Sequence, residues 1–252
     1  MTLAVAGLLV SPTRAVAEPA THKAAFAAEV GILYQMLTFR LDGEVRESVD
    51  RAAGRYEVRI DGRGDGIANR IQSSGVVRDG RWAPVRSEAW FQVRGRESRS
   101  RVAYDYQRGV VEYHARAETF LMRRLRVVDD VLTMPAGEAI DDAISALLNF
   151  REGSWTPRPD GRLQTLIVRR RRADNEGPDD VAHAYRAELV PLELRIEPDP
   201  ETRKPAALLD LTRFSSWARE NRPARIVFGD DRRPTLITGS MILGTSLTIR
   251  LA

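Results

Sequence analysis

The segment YEVRIDG at residues 56–62 has a period-two pattern that predicts the fold class of this chain. Apolar side chains at 56, 58 and 60 alternate with charged ones, so one face of the segment is buried and the other is wet. This is typical of a strand in an antiparallel sheet with one solvated face. The dipeptide Asp61-Gly62 tolerates positive φ and predicts the end of this strand.

The same pattern extends outward in both directions, from residue 26 to about residue 116. Further glycine dipeptides, typical of tight turns, separate the apolar segments. They lie at Asp42-Gly43, Asp79-Gly80 and Arg108-Gly109. We therefore expect a run of antiparallel strands joined by short hairpins in the first half of the chain.

The middle of the chain changes to helical spacing. Ile144, Leu147 and Leu148 recur at i, i+3 and i+4 between Asp141 and Arg151. The carboxylate of Asp141 can cap the first turn. We predict a helix here, with its three apolar side chains packed into the concave side of the sheet.

A second helix is predicted nearer the carboxyl end, over residues 206–221. Leu208, Leu211, Phe214 and Trp217 follow one another at steps of three, and Pro223 would stop the helix. The residues alone thus indicate a mainly β (α+β) chain with one or two helices.

The amino-terminal segment resembles an export signal. An apolar run at residues 3–10 is followed by Ser11-Pro12 and then by Ala15-Val16-Ala17, an A-x-A cleavage triplet. We expect residues 1–17 to be a signal peptide and residues 18–252 to form a single β-rich domain. The alternative is a buried amino-terminal helix. No apolar run approaches the about 18 residues of a membrane-spanning helix.

The composition removes several chemistries. The chain has no cysteine, which excludes disulfides, thiolate metal sites, cysteine nucleophiles and lipid attachment at an amino-terminal cysteine. Its three histidines leave little material for a metal cluster, and no G-x-S-x-G motif is present. The sequence predicts no catalytic residue, cofactor or metal ligand. We expect a protein located in the periplasm or secreted.

Basic residues are numerous but balanced by acids. Thirty-nine lysines and arginines face 35 acids, so the net charge is only +4. A field this weak does not favour nucleic acid as a partner. The run Arg169–Arg172 ends a predicted strand. It is interpreted as a solvated edge that blocks strand pairing, or as a contact for an anionic lipid or polysaccharide.

Four stretches in a fixed order carry a family resemblance: residues 39–44 (FRLDGE), 104–111 (YDYQRGVV), 140–151 and 228–237 (FGDDRRPTLI). Together they resemble the exported bacterial domain-of-unknown-function 3108 family, with Phe228 where that family has tryptophan. The family has no established reaction. The resemblance implies a strongly curved antiparallel sheet, a half-barrel wrapping a helix. By analogy, half-barrels in the envelope shield lipid or a lipid-modified partner.

Aromatic side chains on the concave side of a sheet can line a cavity for an apolar ligand, or they can fill the hydrophobic core. The candidate cavity residues are Trp90, Phe91, Leu147, Phe150 and Trp155. We therefore expect a non-enzymatic periplasmic protein that binds a lipid or another amphiphilic envelope component. The alternatives are an envelope enzyme acting on polysaccharide and a protein interaction module. The sequence sets no oligomeric state.

Overall fold

The computed structural model describes residues 19–32, 34–119, 122–173, 176–177, 179–182, 184–215, 218–219 and 221–252. The predicted signal peptide, His183 and Trp217 lie outside these residues. No helix in these ranges is long and apolar enough to cross a membrane.

The first half of the chain is a series of eight antiparallel strands joined by short turns. They are β1 (Ala20–Ile32), β2 (Leu37–Asp50), β3 (Arg55–Gly64), β4 (Ile67–Arg78), β5 (Arg81–Val93), β6 (Arg96–Asp105), β7 (Val110–Glu118) and β8 (Leu125–Thr133).

The second half contains the helix and the other eight strands. They are β9 (Ile140–Asp141), α1 (Ala143–Arg151), β10 (Thr156–Pro157), β11 (Leu163–Arg170), β12 (Ala187–Pro198), β13 (Pro205–Leu209), β14 (Ala224–Phe228), β15 (Pro234–Ser240) and β16 (Ser246–Leu251). A short 3₁₀ turn (Ile242–Gly244) precedes the last strand.

All sixteen strands belong to one sheet, because β1 pairs with both β2 and β16 and so joins the two halves. Neighbouring strands are antiparallel except that β9 pairs with β11 in parallel. The sheet is open, since its path runs from β10 at one end to β8 at the other.

The sheet curves around α1. Ile144 and Leu148 pack against β2, β3 and β5, whereas Ala146 and Phe150 pack against β12, β13 and β14. Strands so far apart in the sheet can reach one helix only if the sheet bends around it. The predicted curved antiparallel sheet wrapping a helix is confirmed. We call the sheet face that carries α1 the inner face and the opposite face the outer face.

Two predicted hairpin turns are wrong. Asp42-Gly43 and Asp61-Gly62 lie within β2 and β3, where Gly43 and Gly62 are cross-strand partners. A Cβ on either glycine would lie within 3 Å of the Phe26 ring, which covers both positions. These glycines therefore make room for an aromatic ring inside the sheet rather than for a turn.

The predicted second helix is also wrong. Residues 205–209 form strand β13, in which Ala206, Ala207 and Leu208 are all buried. A strand buried on both faces reads as a continuous apolar run, which spacing alone does not separate from a helix.

The residue that caps the first helix lies one position later than predicted. Asp142, not Asp141, accepts the backbone N–H groups of Ile144 and Ser145. Asp141 is still part of β9, where it pairs with Ile167, so the chain is extended there and cannot cap a helix.

Candidate functional site

Three of the five candidate cavity residues lie together in filled core. Phe150 packs on Phe228 with ring centroids 4.5 Å apart and meets Trp155 edge-on. The indole N–H of Trp155 donates to the carbonyl of Ala146 at 2.7 Å. Leu147 packs against the same cluster and is half-buried. The space between α1 and strands β12–β14 is therefore occupied by the protein's own side chains.

The other two candidates lie elsewhere on β5 and on opposite faces of it. Trp90 pairs with Arg70 and Arg99 on the outer face and is half-buried. Phe91 lies on the inner face and is exposed. The structure thus does not bring the five residues into one cavity, and it places Trp90 in a different setting, described below.

Under α1 lies a buried polar cluster that we call the polar centre. Its middle is the fully buried Asp141, which accepts hydrogen bonds from four side chains. The donors are Arg81 at 2.5 Å, Thr165 at 2.6 Å, Asn149 at 2.9 Å and Ser145 at 3.0 Å. These contacts tie β5, β9, β11 and α1 together.

The neighbouring carboxylate extends the polar centre toward β3 and β4. Ser73 donates to Asp142 at 2.5 Å, and Tyr56 shares a 2.9 Å hydrogen bond with Ser73. Asn149 also bonds both backbone groups of Trp82. Each buried polar side chain named here therefore has a partner, as a structural network requires.

The polar centre has shifted pKa values but no access from solvent. Burial raises the pKa of Asp141, and the Arg81 guanidinium opposes that shift. Burial beside Asp142 likewise raises the pKa of Tyr56. Because Asp141 is fully covered, a substrate cannot touch it. The arrangement holds the helix in the sheet and does not provide an acid or base to a cleft.

On the outer face, a groove of about 650 Å³ crosses strands β3 to β8. Cross-strand pairing aligns its side chains in rows, since directly opposed residues point to the same side of a sheet. One row, which we call the arginine row, is Arg70, Trp90, Arg99, Arg116 and Val127. From Trp90 to Val127 it spans about 14 Å at the usual strand separation.

The adjacent row neutralises itself. It consists of Gln72, Glu88, Arg101, His114 and Asp129. Arg101 pairs with Glu88 at 3.1 Å and His114 with Asp129 at 2.6 Å. The Arg86 guanidinium, assisted by Arg101, lowers the pKa of Glu88. His114 is thus a surface residue paired with Asp129.

The arginine row has more cationic than anionic groups. At the β4 end of the row, Asp61 neutralises Arg70. The pKa of Asp61 is lowered mainly by Arg59 and to a smaller extent by Arg70. Arg99 reaches Glu97 at 2.9 Å. Among the described residues Arg116 forms no ion pair, although it lies directly opposite Arg99. Opposed like charges destabilise a sheet, and of this pair only Arg99 has an acidic partner among the described residues.

Apolar side chains on β8 surround the end of the arginine row at Val127. Val127 and Val131 on β8 are about half exposed, and Leu125 lies on the same face. A ligand that spans the row can therefore place charge between Arg99 and Arg116 and apolar atoms on Trp90 or on the β8 valines. Of the five cavity candidates in the sequence, only Trp90 lines this groove. The signal that could have found the arginines is strand register, which long-range pairing sets.

The remaining sequence candidates have structural partners. Arg169 pairs with Glu188 and Arg170 with Glu176, whereas Arg171 is exposed. In the stretch 228–237, Arg233 bonds Asp231 at 2.8 Å and also reaches Glu47. Among the described residues, no three histidine, aspartate or glutamate side chains converge to hold a metal ion.

The β8 edge of the sheet is partly covered. Tyr185 forms an isolated bridge with Val128, and the N–H of Ala187 donates to Asp130 at 2.9 Å. Arg126 bonds the carbonyl of Asp180. This cover occupies backbone positions that an added strand would need.

Comparison with known proteins gives a likeness in structure but none in sequence. No family model matches the chain, and no curated protein matches it in sequence. Among solved structures, it is similar to a β-barrel-like protein of domain of unknown function DUF1849 from Brucella abortus. The identity is 11% and the TM-score 0.41, over 94% of this chain and 98% of that one. The resemblance to the 3108 family stays a prediction.

Proposed function

We propose that this chain is a non-enzymatic, exported protein of the cell envelope that binds an anionic amphiphile across the outer face of its sheet. The observation that carries the proposal is the arginine row, in which Arg99 and Arg116 oppose each other beside Trp90 and the β8 valines. An anion between the two guanidiniums converts a repulsive pair into two charge-assisted contacts.

The ligand class follows from what the groove offers. Arginine forks match phosphate and carboxylate oxygens in a bidentate manner. An adjacent indole and aliphatic surface accept an apolar group. Because core side chains fill the space around α1, the outer groove accommodates such a ligand better than that part of the inner face.

The binding test separates the charged part of the ligand from its apolar part. Dodecyl phosphate, below its micelle concentration, should quench or shift tryptophan emission and bind at least about tenfold more tightly than inorganic phosphate or dodecyl maltoside. Arg116→Gln should remove most of that preference. The matched control is Arg195→Gln, an exposed arginine on β12 outside the groove. Equal affinity for all three probes would contradict the proposal.

Export is supported by the A-x-A triplet at residues 15–17. Amino-terminal sequencing of the protein recovered from the envelope should begin at Glu18. Recovery of the chain from the cytoplasm with Met1 intact would contradict this part of the proposal.

A further inference from the structure

One end of the sheet has an unusual surface. Because β1 to β8 are consecutive antiparallel strands, the described turn residues 34–36, 65–66, 94–95, 119 and 122–124 all lie at the same end. The turns at 51–54, 79–80 and 106–109 lie at the opposite end. We call the first set the tip surface.

The tip surface exposes large apolar side chains. Tyr34 is 80% exposed, Met36 81% and Met122 63%. The three turns at the opposite end contribute none of the exposed large hydrophobic residues that the structure describes. Apolar side chains this exposed and confined to one end indicate a surface that something apolar covers.

The turn that contains Tyr34 has a left-handed backbone conformation that tyrosine and glutamine seldom adopt. Tyr34 and Gln35 have φ values of 56° and 66°, a conformation usually given to asparagine or glycine. The Tyr34 ring rests on Gly244, where an added Cβ would lie too close for any side chain. The chain thus retains a tyrosine at a position that local backbone preference disfavours, a pattern expected of functional positions.

Cations accompany the apolar residues. The four turns of the tip surface contain Arg94, Arg123 and Arg124 against one acid, Asp65, among their described residues. Arg94 stacks over Phe39 and bonds the carbonyl of Gly66 through its backbone. Arg123 contacts Glu118 and the Gly95 carbonyl. These contacts connect the turn at 94–95 to the turn at 65–66 and to residues 122–124, and Phe39 lies on β2, the strand that follows the turn at 34–36.

We propose that the tip surface docks on an anionic lipid bilayer. Tyr34, Met36 and Met122 enter the interfacial region, where amphipathic and flexible side chains are favourable. Arg94 and Arg124 remain at the level of the lipid phosphates. A bilayer fits better than a folded partner because the apolar side chains stand on separate turns, and a fluid surface accepts each one separately. This proposal goes beyond the groove and does not require it.

Vesicle sedimentation tests the docking with a matched control. Vesicles of three parts phosphatidylethanolamine to one part phosphatidylglycerol should pellet the full chain, and vesicles of phosphatidylcholine alone should pellet it less. The tip variant is Tyr34→Ser, Met36→Ser and Met122→Ser, and it should bind at least about tenfold more weakly. The control variant removes three exposed valines toward the other end, Val76→Ser, Val77→Ser and Val85→Ser, and should bind unchanged.

A second measurement locates the contact. Because the chain has no cysteine, Met36→Cys, Met122→Cys and Gln107→Cys each give one site for an environment-sensitive dye. Vesicles should shift the emission to the blue at the first two sites and leave the third unchanged. Equal binding of the tip and control variants would overturn the proposal, since the apolar residues 3–10 would then account for the binding. Failure of the unchanged chain to bind, or an equal shift at Gln107→Cys, would overturn it as well.

Discussion

The polar centre and the arginine row are both charged regions, and they differ in how their charges are balanced. In the polar centre, Asp141 has four donors and no contact with solvent. In the arginine row, Arg99 and Arg116 face each other in the open. The first region joins four elements of the fold. The second opposes two like charges and faces an accessible groove.

Access to solvent distinguishes a structural polar network from a candidate binding site better than pKa shifts do. The polar centre contains a perturbed group, since burial raises the pKa of Asp141. Perturbed pKa values often mark active sites, but ion-pair networks also produce them. Here exposure decides, because a ligand can reach the arginine row and cannot reach Asp141.

The largest effect should come from the polar centre. Asp141→Asn leaves the half-buried Arg81 guanidinium without its charged partner, and we expect a loss of about 3–5 kcal/mol in the free energy of unfolding. Urea unfolding measures it. The matched control is Asp129→Asn on the outer face, which should cost less than about 0.5 kcal/mol. Equal midpoints for the two variants would remove the distinction between the regions.

The helix packing gives the next largest effect. Leu148 is buried between α1 and strands β2, β3 and β5, so Leu148→Ala should cost about 2–5 kcal/mol. Leu147 is only half-buried, and Leu147→Ala should cost clearly less. A larger loss at Leu147 than at Leu148 would show that α1 is rotated relative to this structure.

In the arginine row the sign should reverse. Arg116→Gln removes a like-charge neighbour of Arg99, so the free energy of unfolding should stay constant or rise by about 0.2–1 kcal/mol. Affinity for dodecyl phosphate should fall in the same variant. Destabilisation comparable to that of Asp141→Asn would mean that Arg116 is structural.

The smallest effect is acid sensitivity at the β8 edge. The N–H of Ala187, followed by Val131 and Arg186, lowers the pKa of Asp130. A carboxylate with a lowered folded pKa stabilises fully above its ordinary value near 3.8, and the contribution is lost as pH falls through the folded pKa. The protection of residues 185–187 from hydrogen exchange, relative to the intrinsic rate at each pH, should therefore fall below about pH 4. Asp130→Asn should show low protection at all pH values; an unchanged acid response in that variant would refute the role.

The sequence predicts the sheet better than it predicts the groove. Alternation at Tyr56 and Val58 correctly places those side chains on the buried face, since period two is a local property. The turns at Asp79-Gly80 and Arg108-Gly109 are also correct. Gly43 and Gly62 mislead because the reason for each glycine is the Phe26 ring, which lies on another strand.

The same limit applies to the candidate site. In the sequence, Trp90 is a candidate because it is aromatic, whereas its surroundings depend on the register of β4, β5 and β6. Arg99 and Arg116 become neighbours only when β6 and β7 pair. Nothing within either strand indicates a ligand. The arrangement becomes visible once the strands are aligned.

The most direct test of the arginine row is native mass spectrometry of the protein purified from its own envelope. We predict that the unchanged chain carries an added mass that negative-mode fragmentation identifies as a phosphate- or carboxylate-bearing amphiphile. The added mass should be absent or strongly reduced in Arg116→Gln and retained in Arg195→Gln. A bare polypeptide mass in all three proteins, or an adduct that survives Arg116→Gln undiminished, would contradict the account.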